Sequence, residues 1–265
     1  ILLFGKIFEG TYDDFFDTAK FEALRARLEG IKKSRGKRAV IVYGYGSAVR
    51  QLRPFYNAIL YYDITPYEMT LRINRGEVPN LGRAKGHEYR RFYYVDFEVA
   101  YRLRDELLLE DVDYYIDANK PARFILLPQP AFDAVTSHLV KYLFRCKPIY
   151  MEGIWGGHFF KHVRDLPKEM KNCAWIFELI PNEVSILVEV GEHLLDIPFL
   201  TFVKKEGAAL MGQEIVDRFG GIFPVRFNYD DTYHSNGNMS IQVHPTCEYA
   251  TQTFNEQFQQ DEAYY

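Results

Sequence analysis

The sequence predicts an α/β N-terminal domain followed by a β-rich second domain of the sandwich or barrel type, and three observations carry that expectation. A length of 265 residues, at roughly 150 per domain, leaves room for one to two domains with cores of their own. The first half alternates helical and extended patterns, as layered α/β folds do. Beyond Lys147-Pro148 the texture changes to short β-rich runs broken by Gly, Pro and Asn turns, the spacing of a sandwich or barrel. The boundary therefore falls at about residue 147, giving segments 1–147 and 148–265.

Taken in order, Phe21, Leu24 and Leu28 recur at helical spacing behind Asp13-Asp14, a candidate capping pair, and the basic stretch Lys32-Lys33-Ser34-Arg35-Gly36 marks the stop. Ala39-Val40-Ile41-Val42-Tyr43 reads as a short buried strand ending in Gly44-Tyr45-Gly46, and Ala58 to Asp63 as a second strand after a loop at Pro54. Apolar positions return at three and four residues from Val95 to Leu109, and Phe132, Val135, Leu139 and Leu143 form another helical face. In the second half, strands are expected over Ala174 to Ile180, Ser185 to Val190, Phe223 to Tyr229 and Met239 to Val243, with a helical interlude from Pro198 to Val203.

Composition narrows the function classes. A content of 48% hydrophobic and 26% charged residues belongs to an ordinary soluble globular protein rather than a disordered one. The net charge of -4 supplies no field to attract phosphate backbones, so nucleic acid is not an expected partner. No apolar run approaches the roughly 18 residues of a spanning helix, so no membrane is expected either. The cysteines Cys146, Cys173 and Cys247 are widely spaced and form no CxxC, which argues against disulfides and thiolate zinc and for a reducing cytoplasm. The chain opens on Ile1 without an initiator Met or a signal-peptide pattern, as a fragment would.

Gly44-x-Gly46 at a strand end with Asp63 nineteen residues on imitates a dinucleotide fingerprint, but Val49 stands in place of the third glycine; a structural turn is the favoured reading over a phosphate loop. Arg83, Lys85, His87, Arg90 and Arg91 interleave with Tyr89, Phe92 and Tyr93, a mixture suited to single-stranded nucleic acid. In an acidic chain it reads better as a solvated loop leading into a strand. In Met239-Ser240-Ile241-Gln242-Val243-His244-Pro245, strand alternation puts Ser240, Gln242 and His244 on one polar face. Gln242 and His244 would then stand roughly 7 Å apart and share one ion; an amphipathic strand with its polar side in water is the other reading. An antiparallel return would bring Glu262, in Asp261-Glu262-Ala263-Tyr264-Tyr265, beside His244.

Trp155-Gly156-Gly157, Phe223-Pro224, Ser240-Ile241-Gln242-Val243-His244-Pro245 and Glu262-Ala263-Tyr264-Tyr265 closely resemble, in order, the landmarks of zinc-dependent, cupin-type (class I) mannose-6-phosphate isomerases. The hexapeptide is the most specific of them, and the resemblance covers about Pro148 to Tyr265. Asp230-Asp231-Thr232, Asn236-Gly237-Asn238 and Gln260-Asp261-Glu262 look like a longer bacterial branch of that family. Its members carry an extra N-terminal α/β region resembling part of a P-loop kinase, and residues 1–147 are similar to the latter part of that region.

The resemblance implies the first part of a cupin jelly-roll barrel over 148–265, with zinc held by Gln242, His244 and Glu262 and a remaining histidine ligand beyond Tyr265. It implies Ser240 near the substrate phosphate, with Arg226 as an outside candidate because Asn228 stands where the family usually has lysine; a later phosphate-binding arginine lies out of range. After His244-Pro245 the family's usual Asp-Lys is replaced by Thr246-Cys247. The implied activity is zinc-assisted aldose–ketose isomerisation of a sugar phosphate, above all mannose 6-phosphate to fructose 6-phosphate, through an enediolate whose base is unassigned. Two alternatives stand beside it: a catalytically degenerate cupin that binds a sugar phosphate, and a nucleotide-dependent kinase activity in the N-terminal region.

Overall fold

Asp17 stands just ahead of a run of good helix formers, and its carboxylate accepts the Lys20 amide at 3.0 Å to cap α1 (Thr18–Lys33). In the computed structural model, which describes residues 5–34, 39–86, 88–235 and 237–265, the expected capping pair lies one turn too early. Asp13 and Asp14 belong to a short 3-10 turn, Tyr12–Phe15, whose own cap is Thr11. α1 lays Phe21, Leu24 and Leu28 against Val49, Leu52 and Val99. Arg35 and Gly36, in the expected stop, lie outside the described residues.

The run Ala39 to Tyr43 forms no strand, and Ile41 and Tyr43 are 82% and 88% exposed. It pairs with no strand among the described residues, and backbone groups without a ladder are satisfied by water rather than by burial, although Val42 packs on the α1 core. The sheet begins instead at β1 (Leu60–Asp63). The chain then crosses over through α2 (Pro66–Asn74), α3 (Tyr89–Arg91), a π turn at Phe92–Asp96 and α4 (Phe97–Glu110). β2 (Tyr114–Asp117) pairs parallel with β1, as such a crossover permits, and antiparallel with β3 (Ile125–Pro128). α5 (Gln129–Leu139) follows and stops short of Leu143, which is exposed.

The basic-aromatic tract leads into α3 rather than into a strand. Buried Asn80 accepts the Glu88 amide at 2.7 Å and donates to Asp96 at 2.8 Å, and Arg91 donates to the Leu81 carbonyl at 2.8 Å. These bonds close the loop on itself; His87 lies outside the described residues.

The second half is also mixed α/β. β4 (Ile149–Met151), α6 (Phe159–Val163), β5 (Trp175–Leu179), β6 (Ser185–Val190) and β7 (His193–Pro198) come first. α7 (Phe199–Met211), α8 (Gln213–Arg218), β8 (Phe227–Asp230) and α9 (Cys247–Phe254) complete the order. β4, β5 and β8 make an antiparallel sheet and β6–β7 a hairpin; among the described residues no barrel closes. The helical interlude runs on to Met211, and among the described residues Met239 to Val243 forms no strand, with Ile241 99% and Val243 92% exposed. Alternation makes a strand only where a neighbour supplies the ladder and a layer covers the apolar side. Among the described residues no helix is long and apolar enough to cross a membrane.

The largest core crosses residue 147: Leu108, Tyr115 and Phe132 pack in one cluster with Val184, Ile186, Leu195, Ile197, Phe199 and Phe202. Tyr115 stacks on Phe132 with ring centroids 3.8 Å apart. A buried polar knot sits beside it. Asp63, only 4% exposed, accepts Tyr61 Oη at 3.1 Å, Tyr115 Oη at 3.0 Å and Thr201 Oγ1 at 2.7 Å. Burial raises its carboxyl above the ordinary 3.8, and the three hydroxyls together with the Arg104 charge only partly offset that.

Asp63→Ala leaves three buried hydroxyls without their acceptor and is expected to cost about 2–4 kcal/mol in urea unfolding. The folded chain takes up the Asp63 proton at a higher pH than the unfolded chain does. The stability of wild type relative to Asp63→Asn should therefore be flat above the raised value and increase as pH falls through it toward 3.8. Paired urea titrations from neutral pH down to about 4 measure this, and a difference moving the other way contradicts it.

Candidate functional site

Trp155-Gly156-Gly157 lies between β4 and α6, and its route is set by the buried carboxylate of Asp231, which accepts Phe160 N at 2.9 Å and Tyr233 N at 2.8 Å. The backbones join as well: Gly157 N donates to Asp231 O at 2.6 Å and His158 N to Tyr233 O at 3.0 Å. Glycine is required there. A Cβ on Gly157 would strike the Asp231 carboxylate and lie 2.6 Å from Tyr233 N, and one on Gly156 would lie 2.9 Å from Ala174 N. Trp155 packs edge-on to Trp175 at 4.7 Å. The loop thus fixes where the chain leaves β8 on its way to residues 239–244.

Along that exit Gln242 Nε2 donates to Ser240 Oγ at 3.2 Å, so the two side chains share a side without a ladder. His244 and Glu262, eighteen residues apart, meet directly: Nε2 lies 2.6 Å from Oε2, with both side chains about 30% exposed. Two further groups close around the carboxylate. Burial and the Glu262 charge push the Asp230 carboxyl up, and a hydrogen bond to Glu262 pushes the Tyr264 phenol up to about 12. Asn228 donates to Asp230 at 3.0 Å on the same face of β8.

The return that carries Glu262 is a helix and a strap rather than the expected strand. Thr246 caps α9 by accepting Tyr249 N at 3.3 Å, and Asn255 ends it in the left-handed conformation, φ 57. Asn255 Nδ2 donates to Ile7 O at 2.9 Å and Ile7 N to Phe254 O at 2.9 Å, pinning this turn to the early chain. Cys247 N donates to Gln259 at 3.0 Å and Arg226 to Gln260 at 2.7 Å. The strap is thereby held along residues 244–247.

The structure therefore joins His244 with Glu262 and Ser240 with Gln242, and it puts Arg226, just outside β8, on the Gln260 amide. Among the described residues no three of His, Cys, Asp and Glu group as a metal site. Asp230 and Tyr264 are the members that the sequence reading missed. Strand alternation from Asn228 and the residue pair Glu262/Tyr264 were the available signals. At the other candidate locus, Gly44 and Gly46 have φ 118 and φ 73 in a turn, and both Asp63 oxygens are engaged with hydroxyls. That is the structural turn.

A family model described as a domain of unknown function, DUF8485, matches residues 2–141, more than half of the 265-residue chain. The chain belongs to the DUF8485 family. The DUF8485 segment contains α1 to α5 and Asp63, and leaves His244, Glu262 and the loops around them outside it. No curated protein and no solved structure matches the chain.

Gly157→Ala is expected to lower stability by at least about 2 kcal/mol in urea unfolding, since its obstacles are a buried carboxylate and backbone. Burial pushes the Cys146 and Cys173 thiols up to about 11, whereas Cys247 is exposed. Iodoacetamide on native protein at about pH 8 should label Cys247 alone on the fast timescale; mass spectrometry showing early label on Cys173 contradicts the packing described.

Proposed function

We propose that this DUF8485 protein is a sugar-phosphate aldose–ketose isomerase of the mannose-6-phosphate isomerase type, interconverting mannose 6-phosphate and fructose 6-phosphate at a zinc-dependent site in a cupin-like second half. The single observation that carries this reading is the 2.6 Å approach of His244 to Glu262 across eighteen residues. These are two of the three side chains that the resemblance names as ligands.

The chemistry of the donor set fits a zinc ion. An imidazole nitrogen and a carboxylate oxygen converge, and Gln242 turns its NH2 to Ser240, which leaves its carbonyl oxygen available; mixed nitrogen and oxygen ligands of this kind suit zinc. His244, Glu262 and Gln242 would hold the ion, which when bound supplies Lewis acidity toward the sugar's carbonyl and neighbouring hydroxyl oxygens. The chain does the rest. His244 and Glu262 would offer the ring nitrogen and the carboxylate oxygen that face one another at 2.6 Å. Ser240 offers a hydroxyl to the phosphate. Arg226, held by a neutral amide and by no ion pair among the described residues, turns to the phosphate without breaking a salt bridge. Tyr264 steadies the Glu262 carboxylate through a hydrogen bond of its own. The free cysteines agree with a reducing cytoplasm.

A second reading, a sugar-phosphate-binding module without turnover, is favoured by Asn228, which is bound to Asp230 where the family usually has a lysine. The kinase reading draws no support from the Gly44-x-Gly46 turn.

With protein expressed from its complete gene, a coupled assay should detect fructose 6-phosphate formed from mannose 6-phosphate, lost on chelation and restored by zinc. His244→Ala and Glu262→Ala should each lower kcat/KM by at least about a hundredfold. Unchanged turnover in metal-free protein overturns the mechanism, and substrate binding without turnover selects the second reading.

A further inference from the structure

We infer that the protein carries a second binding site, an arginine-edged aromatic cleft for a small anion with a planar ring, on the face of β8 turned away from His244 and Glu262. Strand alternation separates the two sites. Asn228 and Asp230 face Glu262, while Phe227 and Tyr229 line a cavity of about 600 Å³, a volume suited to a small molecule. The inference is independent of the isomerase reading, because none of that site's residues enters it.

The walls are aromatic. Phe227 and Tyr229 meet edge-on at 5.0 Å and remain 48% and 42% exposed. Phe223, edge-on to buried Phe199 at 5.2 Å, and Phe144 add further rings, and Leu179 and Cys146 complete the lining. So much open ring surface in one concavity is the surface on which a flat ring stacks.

The charges choose the sign of the ligand. Arg145 reaches both oxygens of Glu178, at 3.1 Å and 2.6 Å, and that pair is neutralised in place. Arg164, which follows α6 at its C-terminus, also lines the cavity, and its guanidinium has no hydrogen bond or ion pair among the described residues. Two arginines against one glutamate leave one positive charge at the edge of an aromatic-walled cleft. A neutral ligand leaves it unmatched, a cation is repelled, and a bare inorganic anion leaves the rings uncovered. A ring bearing a single carboxylate, sulfonate or phosphate ester satisfies both features, with the guanidinium fork on the anion and the ring against Phe227 and Tyr229.

The probe is 8-anilinonaphthalene-1-sulfonate, compared with the uncharged N-phenyl-1-naphthylamine, titrated by fluorescence into the whole protein. The sulfonate should bind one saturable site. Arg164→Ala and Phe227→Ala, both at exposed positions, should each weaken it about tenfold with an unchanged melting temperature, and the neutral dye should not respond to Arg164→Ala. Displacement by 2-naphthoate points to a natural carboxylate ligand, and displacement by adenosine 5′-monophosphate to a phosphate ester. Displacement by neither, equal binding of the two dyes, or an unchanged sulfonate affinity in Arg164→Ala overturns the proposal.

Discussion

A carboxylate taken almost wholly out of water must be surrounded by donors, and Asp63 finds them on three elements: Tyr61 on β1, Tyr115 on β2 and Thr201 at the start of α7. Tyr61 bonds within β1 itself, and Tyr115 ties β2 to it. The third, 138 residues away in sequence, fixes where α7 sits on that sheet. Asp117, at the same end of the neighbouring strand, repeats the device. It accepts Asn119 through one oxygen and the Asp196 amide of β7 through the other, at 2.8 Å. With apolar side chains of both halves in one core, the hairpin β6–β7 and α7 have one place to go.

Everything nearer the candidate site hangs on a further buried aspartate, Asp231. Asp231 ties the end of β8 to the Trp155-Gly156-Gly157 loop, and the early chain clamps the end of α9 through Ile7. Between these anchors His244 and Glu262 are brought into contact. A partly exposed pair of that kind contributes at most about 1 kcal/mol, so it is a result of the fold and not one of its supports. Side chains placed by such outside constraints are free to serve a ligand. The same strand has a second consequence: β8 gives its polar side to Glu262 and its aromatic side to the arginine-edged cleft.

Where a pattern was read against a partner already present, the sequence was a good guide. β6 runs over Ser185–Val190 as its β-rich composition implied, because β7 supplies every register position, and Phe21, Leu24 and Leu28 found the core expected of them. Ala39 to Tyr43 and Met239 to Val243 have comparable strand character but no neighbour. Propensity alone does not build a ladder. The meeting of His244 with Glu262 was anticipated, whereas its route through a helix capped by Thr246 was not. Asp230 and Tyr264 were missed because a charged residue on a short strand and a tyrosine just past Glu262 look alike whether they face water or that carboxylate. The Asp63 knot was illegible for the same reason: hydroxyls converging from β1, β2 and α7 leave no local trace.

X-ray absorption at the zinc edge, on zinc-loaded protein expressed from its complete gene, examines the claim that matters most. The account predicts a shell of nitrogen and oxygen only, at about 2.0–2.1 Å, with an imidazole contribution that weakens in His244→Ala. Sulfur at about 2.3 Å, or a spectrum indifferent to the loss of His244, would contradict it.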